Sequence, residues 1–261
     1  MSQPQERSDK YSAPALSKGL DILEFLASEP EAQKKADIAR ALDRSISEIF
    51  RMLVVLEERE YVAFDHHSER YSLTTKLFEV AHRYPPIRRL STVSAVLMQA
   101  LAREVNQSVH MTIRHNTDIL VIAQVDSPGN NVTSVRLGAR VPIVQTASGA
   151  VLTASMDAQE LASLEEQLSD QSAKLRKLFA HNRESAAKQG YCECPSMVVE
   201  GVINISAPIH DHSGQVIAAV TIPFIRRLNS GDHLTQVQTR KALIVMSKNI
   251  SHLLGGRLAD S

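Results

Sequence analysis

The first regular pattern lies in APALSKGLDILEFLASEP, where Leu16, Leu20, Leu23 and Leu26/Ala27 recur at i, i+4, i+7 and i+10/i+11. This is one apolar stripe at the helical period, and Pro30 follows its end. KKADIARAL predicts a short second helix that buries Ile38, Ala39 and Leu42. The polar turn Asp43-Arg44-Ser45 separates it from SISEIFRMLVVLEEREY, a third helix with Ile49, Met52/Leu53 and Leu56 on one face. Two β-type runs, Tyr61–Phe64 and Arg70–Leu73, then flank the polar tip Asp65–Glu69, which is the pattern of a hairpin. Three short helices followed by a hairpin is the element order of a winged helix-turn-helix.

TKLFEVAHRY continues as a helix with Leu77, Val80 and Ala81 apolar, until Pro85-Pro86 stops it and marks a domain boundary. A helix over 87–105, with Leu90, Val93, Val96/Leu97 and Leu101 apolar, makes the connection helical, so it transmits orientation rather than tethering loosely. From about 107 the period shortens. SVHMTIRH and DILVIAQVD read as strands around Asn116-Thr117, SPGNN as a turn and VTSVRLG as a further strand. TASGAVLTAS is a short helix, and DAQELASLEEQL and AKLRKLFAHNRESAAKQ are amphipathic helices, the second ended by Gly190. GVINISAPIHDHSGQVIAAVTIPF is two strands about His212-Ser213-Gly214, and a closing helix runs to Gly255-Gly256. The fold class is α+β. The expected organisation is a disordered tail (1–13), a winged helix-turn-helix (14–75), a helical linker (76–104) and an antiparallel sheet flanked by helices that binds a ligand (105–256).

Lys plus Arg equal 29 and Asp plus Glu equal 29, which excludes binding of a polyanion by bulk charge but not by a local patch. Residues 15–90 carry about 12 basic against about 13 acidic side chains, so DNA affinity would depend on where Lys18, Lys34, Lys35, Arg44, Arg51 and Arg70 point. The opening MSQPQERSDKYSAP has no apolar core of a signal peptide, and no window approaches 18 consecutive apolar residues. The expectation is a soluble, cytoplasmic protein with no membrane partner.

A DNA-reading helix presents its N-terminal turn to the major groove. Ser45, Ser47, Glu48 and Arg51 lie at that turn of the third helix, and Arg70 with His66 and His67 lies on the wing. Arginine can fork onto guanine or clamp a phosphate, serine can bond a phosphate, and glutamate can accept from cytosine N4 or orient the arginine. In the second half, Ala147 and Ser148 start a short helix whose amides can hold an anion, while Val202, Asn204 and Ser206 alternate on one strand with Thr221 on its partner. Such a lining suits a small organic acid. Cys192 and Cys194, one residue apart, lack the C-x-x-C spacing of zinc or thioredoxin-type sites and read as packing or pocket-lining thiols. His210-Asp211-His212 reads as a polar turn. The chain has no G-x-S-x-G elbow, phosphate loop or H-E-x-x-H, so no catalytic residue, metal or cofactor is expected. The alternatives are a thiol-dependent redox enzyme using Cys192/Cys194, or a winged helix that binds another protein.

ALSKGLDILEFLA, ADIARAL, SEIFRMLVVLEEREYV and ERYSLTTKLFEVA together resemble the N-terminal domain of the IclR family of bacterial transcriptional regulators. VRLGARVPIVQTASGAVLTA and GYCECPSMVVEGVINISAPIHDHSGQVIAAVTI resemble that family's effector domain, and the likeness runs from about 15 to 255. The resemblance implies a PAS/GAF-like effector-binding domain and a homodimer or dimer of dimers on a palindromic operator. It further implies a repressor or activator of a catabolic operon, whose DNA binding is altered by a small organic acid. It places Ser47, Glu48 and Arg51 on recognition-helix positions, Ala147 and Ser148 where backbone groups hold the effector's carboxylate, and Cys194, Val202, Asn204, Thr221 and Pro223 on lining positions. Three positions depart from the family's pattern: Ala150 stands where lysine is usual, Cys194 where a polar or acidic residue is common, and Glu48 where a small hydroxyl residue is usual.

Overall fold

The computed structural model describes residues 13–83, 85–129, 133–226 and 234–256, so the tail read at 1–13 lies, Ala13 apart, outside the described residues. The chain divides into two compact units, 1–85 and 86–261.

Unit 1 runs α1 (Pro14–Ser28), β1 (Gln33–Lys34), α2 (Lys35–Ala41), α3 (Ile46–Glu58), β2 (Val62–Asp65), β3 (Arg70–Leu73) and α4 (Lys76–Arg83). Its core joins Ile22, Leu23 and Leu26 of α1, Ile38 of α2 and Ile49, Leu53 and Leu56 of α3 to Val62 and Tyr71 of the hairpin. The α1 stripe is shorter than its periodicity predicts: Leu16 and Leu20 are exposed, and the inward face is set by Ile22, Leu23 and Leu26. The first two turns of α1 stand outside the three-helix core, which periodicity alone does not reveal. The strand pair is also larger than expected. Gln33 and Lys34 pair antiparallel with Tyr71 and Arg70, adding a third strand too short and polar to announce itself.

α5 (Pro85–Val105) follows. Leu90, Met98, Leu101, Ala102 and Val105 belong to the core of unit 2, so much of the segment read as linker is built into that unit. Val96, expected to face inward, is 74% exposed: the buried face follows Leu90, Met98, Leu101 and Val105 instead.

The sheet of unit 2 contains β4 (Val109–His115), β5 (Asp118–Val125), β6 (Arg140–Pro142), β7 (Cys192–Pro195), β8 (Val202–His210) and β9 (Val216–Ile225). Its strands pair antiparallel in the order β6-β5-β4-β9-β8-β7. One face packs against α5 and α9 (Gln236–Leu253) through Met111, Ile205, Ile209, Val220, Ile222, Leu243 and Ile250. The other packs against a 3-10 turn (Ile143–Gln145), α6 (Ala147–Thr153), α7 (Ala158–Gln167) and α8 (Ala173–Gln189) through Ile119, Val121, Val151, Leu164 and Phe179. Strand alternation sorts the residues: on β9, Val220, Ile222 and Phe224 go to the first layer, leaving Thr221 and Pro223 on the opposite face. VTSVRLG is not a strand over its described residues. Gly138 turns at φ +78 and its amide donates to the Val121 carbonyl, so pairing resumes only at β6. The β-prone side chains before it line a cavity instead of extending the sheet.

Candidate functional site

In unit 1 the outward face of α3 is organised by its first turn. Ser45 Oγ accepts from the Glu48 amide (3.3 Å), and Glu48 Oε2 accepts from the Ser45 amide (3.1 Å) and hydroxyl (2.8 Å), a reciprocal capping box. Glu48 Oε1 also receives Lys18 Nζ at 2.5 Å. The Lys18 ammonium, then the Ser45 hydroxyl and amide, hold the Glu48 carboxyl down at about 2. Two of the expected reading residues are therefore engaged in fixing where α3 starts and tying it to α1. Arg51 and Ser47 are exposed, and Arg51 has no hydrogen bond or ion pair among the described residues. Arg70 donates from Nη1 to the Ala32 carbonyl (2.7 Å), which ties the wing to the segment before β1. At the wing tip, the Ser68 hydroxyl and His67 amide hold the Asp65 carboxyl below its ordinary value, and His66 and His67 are exposed.

In unit 2 a cavity of about 330 Å³ lies between the sheet, the start of α6 and the segment after β7. Six of the seven expected residues line it: Ala147, Ser148, Val202, Asn204, Thr221 and Pro223. Strand register brings them together, with Asn204 opposite Pro223 and Ser206 opposite Thr221. The Thr221 hydroxyl donates to Ser206 Oγ at 2.9 Å. α6 begins with Thr146, whose hydroxyl oxygen accepts from the Gly149 amide (2.9 Å). The Ala147 and Ser148 amides are left without an intrahelical acceptor. Gly149 sits against the preceding turn so closely that an added Cβ would fall 2.1 Å from the Ile143 carbonyl oxygen.

Cys194 is not part of this lining. It lies opposite Asn204, on the same face but one strand further out, and packs against the layer under α6 and α8. The buried Cys192 thiol hydrogen-bonds to it, pushing Cys192 up and Cys194 down from the usual thiol range.

Sequence reasoning missed three parts of the cavity. His110, on the central strand β4 opposite Thr221, is 6% exposed and its Nδ1 has no hydrogen-bond partner among the described residues. Burial pushes its imidazole down to about 4, so the ring is neutral near pH 7. Only the pairing of β4 with β9 brings it into the site, and no local signal encodes that pairing. Arg136 is an exposed cation of the lining. Met197, Val198 and Val199 supply an exposed apolar edge on a loop turned by Ser196 Oγ, which accepts from the amides of Val198 and Val199.

A larger depression of about 570 Å³ at the far end of α6 contains none of the expected residues, and its Ser247 and Ser251 hydroxyls donate to the Pro208 and Ser247 carbonyls. Asp211 of the His-Asp-His string accepts from the Ser213 amide and hydroxyl and the Gln215 amide, closing the β8–β9 turn. Among the described residues no cluster of His, Cys, Asp and Glu is placed to hold a metal, and no helix is long and apolar enough to cross a membrane.

A winged helix-turn-helix joined to an α+β unit with a ligand-sized cavity defines a class of effector-responsive DNA-binding regulators. Comparison with known proteins agrees. The IclR helix-turn-helix domain matches residues 15–66, and the C-terminal domain of the bacterial transcriptional regulator IclR matches residues 86–252. The chain belongs to the IclR family of bacterial transcriptional regulators. It is 29% identical over 218 residues to the HTH-type transcriptional regulator KdgR of Escherichia coli, spanning 82% of each chain. It is 25% identical over 222 residues to the HTH-type transcriptional repressor AllR of Salmonella typhimurium, spanning 83% of this chain and 82% of that one. Thermotoga maritima IclR shares the fold, with a TM-score of 0.73 at 24% identity over 92% of this chain and 98% of that one. So does an IclR homologue from Microbacterium hydrocarbonoxydans complexed with 4-hydroxybenzoate, with a TM-score of 0.75 at 18% identity over 92% and 98%. The protein is a DNA-binding transcriptional regulator with an effector-binding domain and not an enzyme, which disposes of the thiol-enzyme alternative.

Proposed function

We propose that this regulator binds a palindromic operator as a homodimer or dimer of dimers in the cytoplasm, and that a small organic acid in the unit 2 cavity alters that binding. The observation that carries the reading is the cavity itself. It gathers six residues expected from sequence around one buried imidazole nitrogen that lacks a partner among the described residues. A buried polar atom without a partner is costly, and a ligand that supplies one recovers that cost. The Ala147 and Ser148 amides, with Arg136 nearby, receive the carboxylate. Neutral His110, Thr221 and Asn204 receive a hydroxyl or carbonyl group, and Val202 and Pro223 bound the apolar body. Cys194 flanks this lining from the next strand. The ligand class is a hydroxy- or oxo-acid; the 4-hydroxybenzoate of the Microbacterium homologue has such a pairing of groups.

On DNA, Ser47 and Arg51 make the direct contacts, while Ser45, Glu48 and Arg70 hold the helix and the wing in place. The working division is a DNA-binding domain over 14–75, a helical connection over 76–104 and an effector-binding domain over 105–256. Ligand control works by population shift, since an effector that prefers one arrangement of α5 and its unit moves the equilibrium toward it. A tenfold change in operator affinity needs a preference of about 1.4 kcal/mol. Displacement of the protein from operator by matched hydroxy-, oxo- and unsubstituted acids tests the reading. Acids with the second polar group release DNA at lower concentration in the native protein, and His110→Leu erases that difference. Equal potency of all three classes on the native protein contradicts it.

A further inference from the structure

α3 leaves three large apolar side chains exposed, Val55 near its end and two near its start. Ile46 is 51% exposed and Phe50, one turn later, is 46% exposed. Each immediately precedes an exposed polar residue of the reading face, Ser47 and Arg51. The Phe50 ring is turned toward the start of α2, where Lys35 Nζ lies 4.6 Å from its centroid, and Lys34 and Arg44 are exposed nearby in sequence. An apolar pair edged by cations is a poor surface for bulk water. It suits a polyanion whose recessed surface is apolar at a defined point.

The major groove has such a point. Of the four bases only thymine presents a methyl group there, and apolar side chains, phenylalanine among them, are its partners. Ile46 and Phe50 have no hydrogen-bonding atom in their side chains, so they can discriminate bases only through this contact or by exclusion. We propose that Ile46 and Phe50 are specificity-determining residues that read thymine 5-methyl groups in each operator half-site, with Lys35 placed to neutralise an adjacent phosphate. The inference rests on α3 being the helix that enters the major groove.

The test uses the full chain and a duplex that it selects from a random-sequence pool, synthesised with thymine or with deoxyuridine throughout. Deoxyuridine keeps the pairing and O4 and removes only the methyl. The native protein binds the deoxyuridine duplex about fourfold more weakly for each methyl buried. The exposed-residue variants Ile46→Ala and Phe50→Ala, checked for native circular dichroism, bind the two duplexes with progressively smaller differences, and the double variant binds them alike. Equal affinity of the native protein for both duplexes, within about twofold, overturns the proposal and leaves specific binding intact. A methyl preference that survives in the double variant overturns it as well, because other residues then read the methyl. Failure to enrich any sequence contradicts the role of α3 itself, a separate result.

Discussion

Glu48 and Arg51 sit three residues apart on one helix and do different work. Glu48 is engaged inside unit 1, with Ser45 and Lys18, whereas the five donors of the exposed Arg51 have no acceptor among the described residues. Arg51→Ala therefore lowers affinity for a specific operator by about 10- to 100-fold, the range of a lost guanine fork, and leaves effector affinity unchanged. Anisotropy for DNA and calorimetry for ligand check the two halves separately. His110 offers a test by pH. Its folded-state value is depressed to about 4 from an ordinary 6.5, so the unfolded chain binds the extra proton between those values. The stability it protects is complete above 6.5 and is lost as pH falls through 4, on the order of 3 kcal/mol across the window. His110→Gln flattens this part of the stability curve of unit 2 in urea titrations at stepped pH. A curve as steep as that of the native protein would show that His110 is already free to ionise in the fold.

Elements show what the chain's patterns can encode. Local periods place α2, α3, the wing, β8 and β9 where they are, because each buries its own face against an immediate neighbour. The readings that fail are those needing a distant partner. Leu16, Leu20 and Val96 have the helical period but lie beyond the packed face. Thr133–Arg136 has β composition but meets a cavity rather than a strand. The site divides along the same line. Val202, Asn204, Thr221 and Pro223 are legible because one hairpin aligns them, and Ala147 and Ser148 because a short helix starts there. His110 comes from β4, which meets β9 only after more than a hundred residues of intervening chain, and its register is a property of the folded sheet. Gly149 sets how closely α6 packs at the site, since only a hydrogen at its Cα fits against Ile143. Gly149→Ala destabilises unit 2 by about 1–3 kcal/mol, the cost of overpacking. It also weakens effector binding by moving Ala147 and Ser148. Thermal melts followed with and without ligand separate the two effects, and a melting temperature equal to that of the native protein would contradict the close packing.

For the whole molecule, a formal net charge of zero makes DNA binding a matter of placement rather than of total charge. Unit 1 supplies the helix-turn-helix and wing, and unit 2 the cavity with α5 in its core. Its membership of the IclR family accounts for both halves in one chain. The most direct measurement is a fluorescence-anisotropy titration of the full chain with a duplex selected from a random pool, against a shuffled duplex of the same composition, at two salt concentrations. The account predicts at least about a 100-fold preference for the selected duplex, with both affinities falling as salt rises. Equal, weak affinity for the two duplexes at both salt concentrations would contradict it.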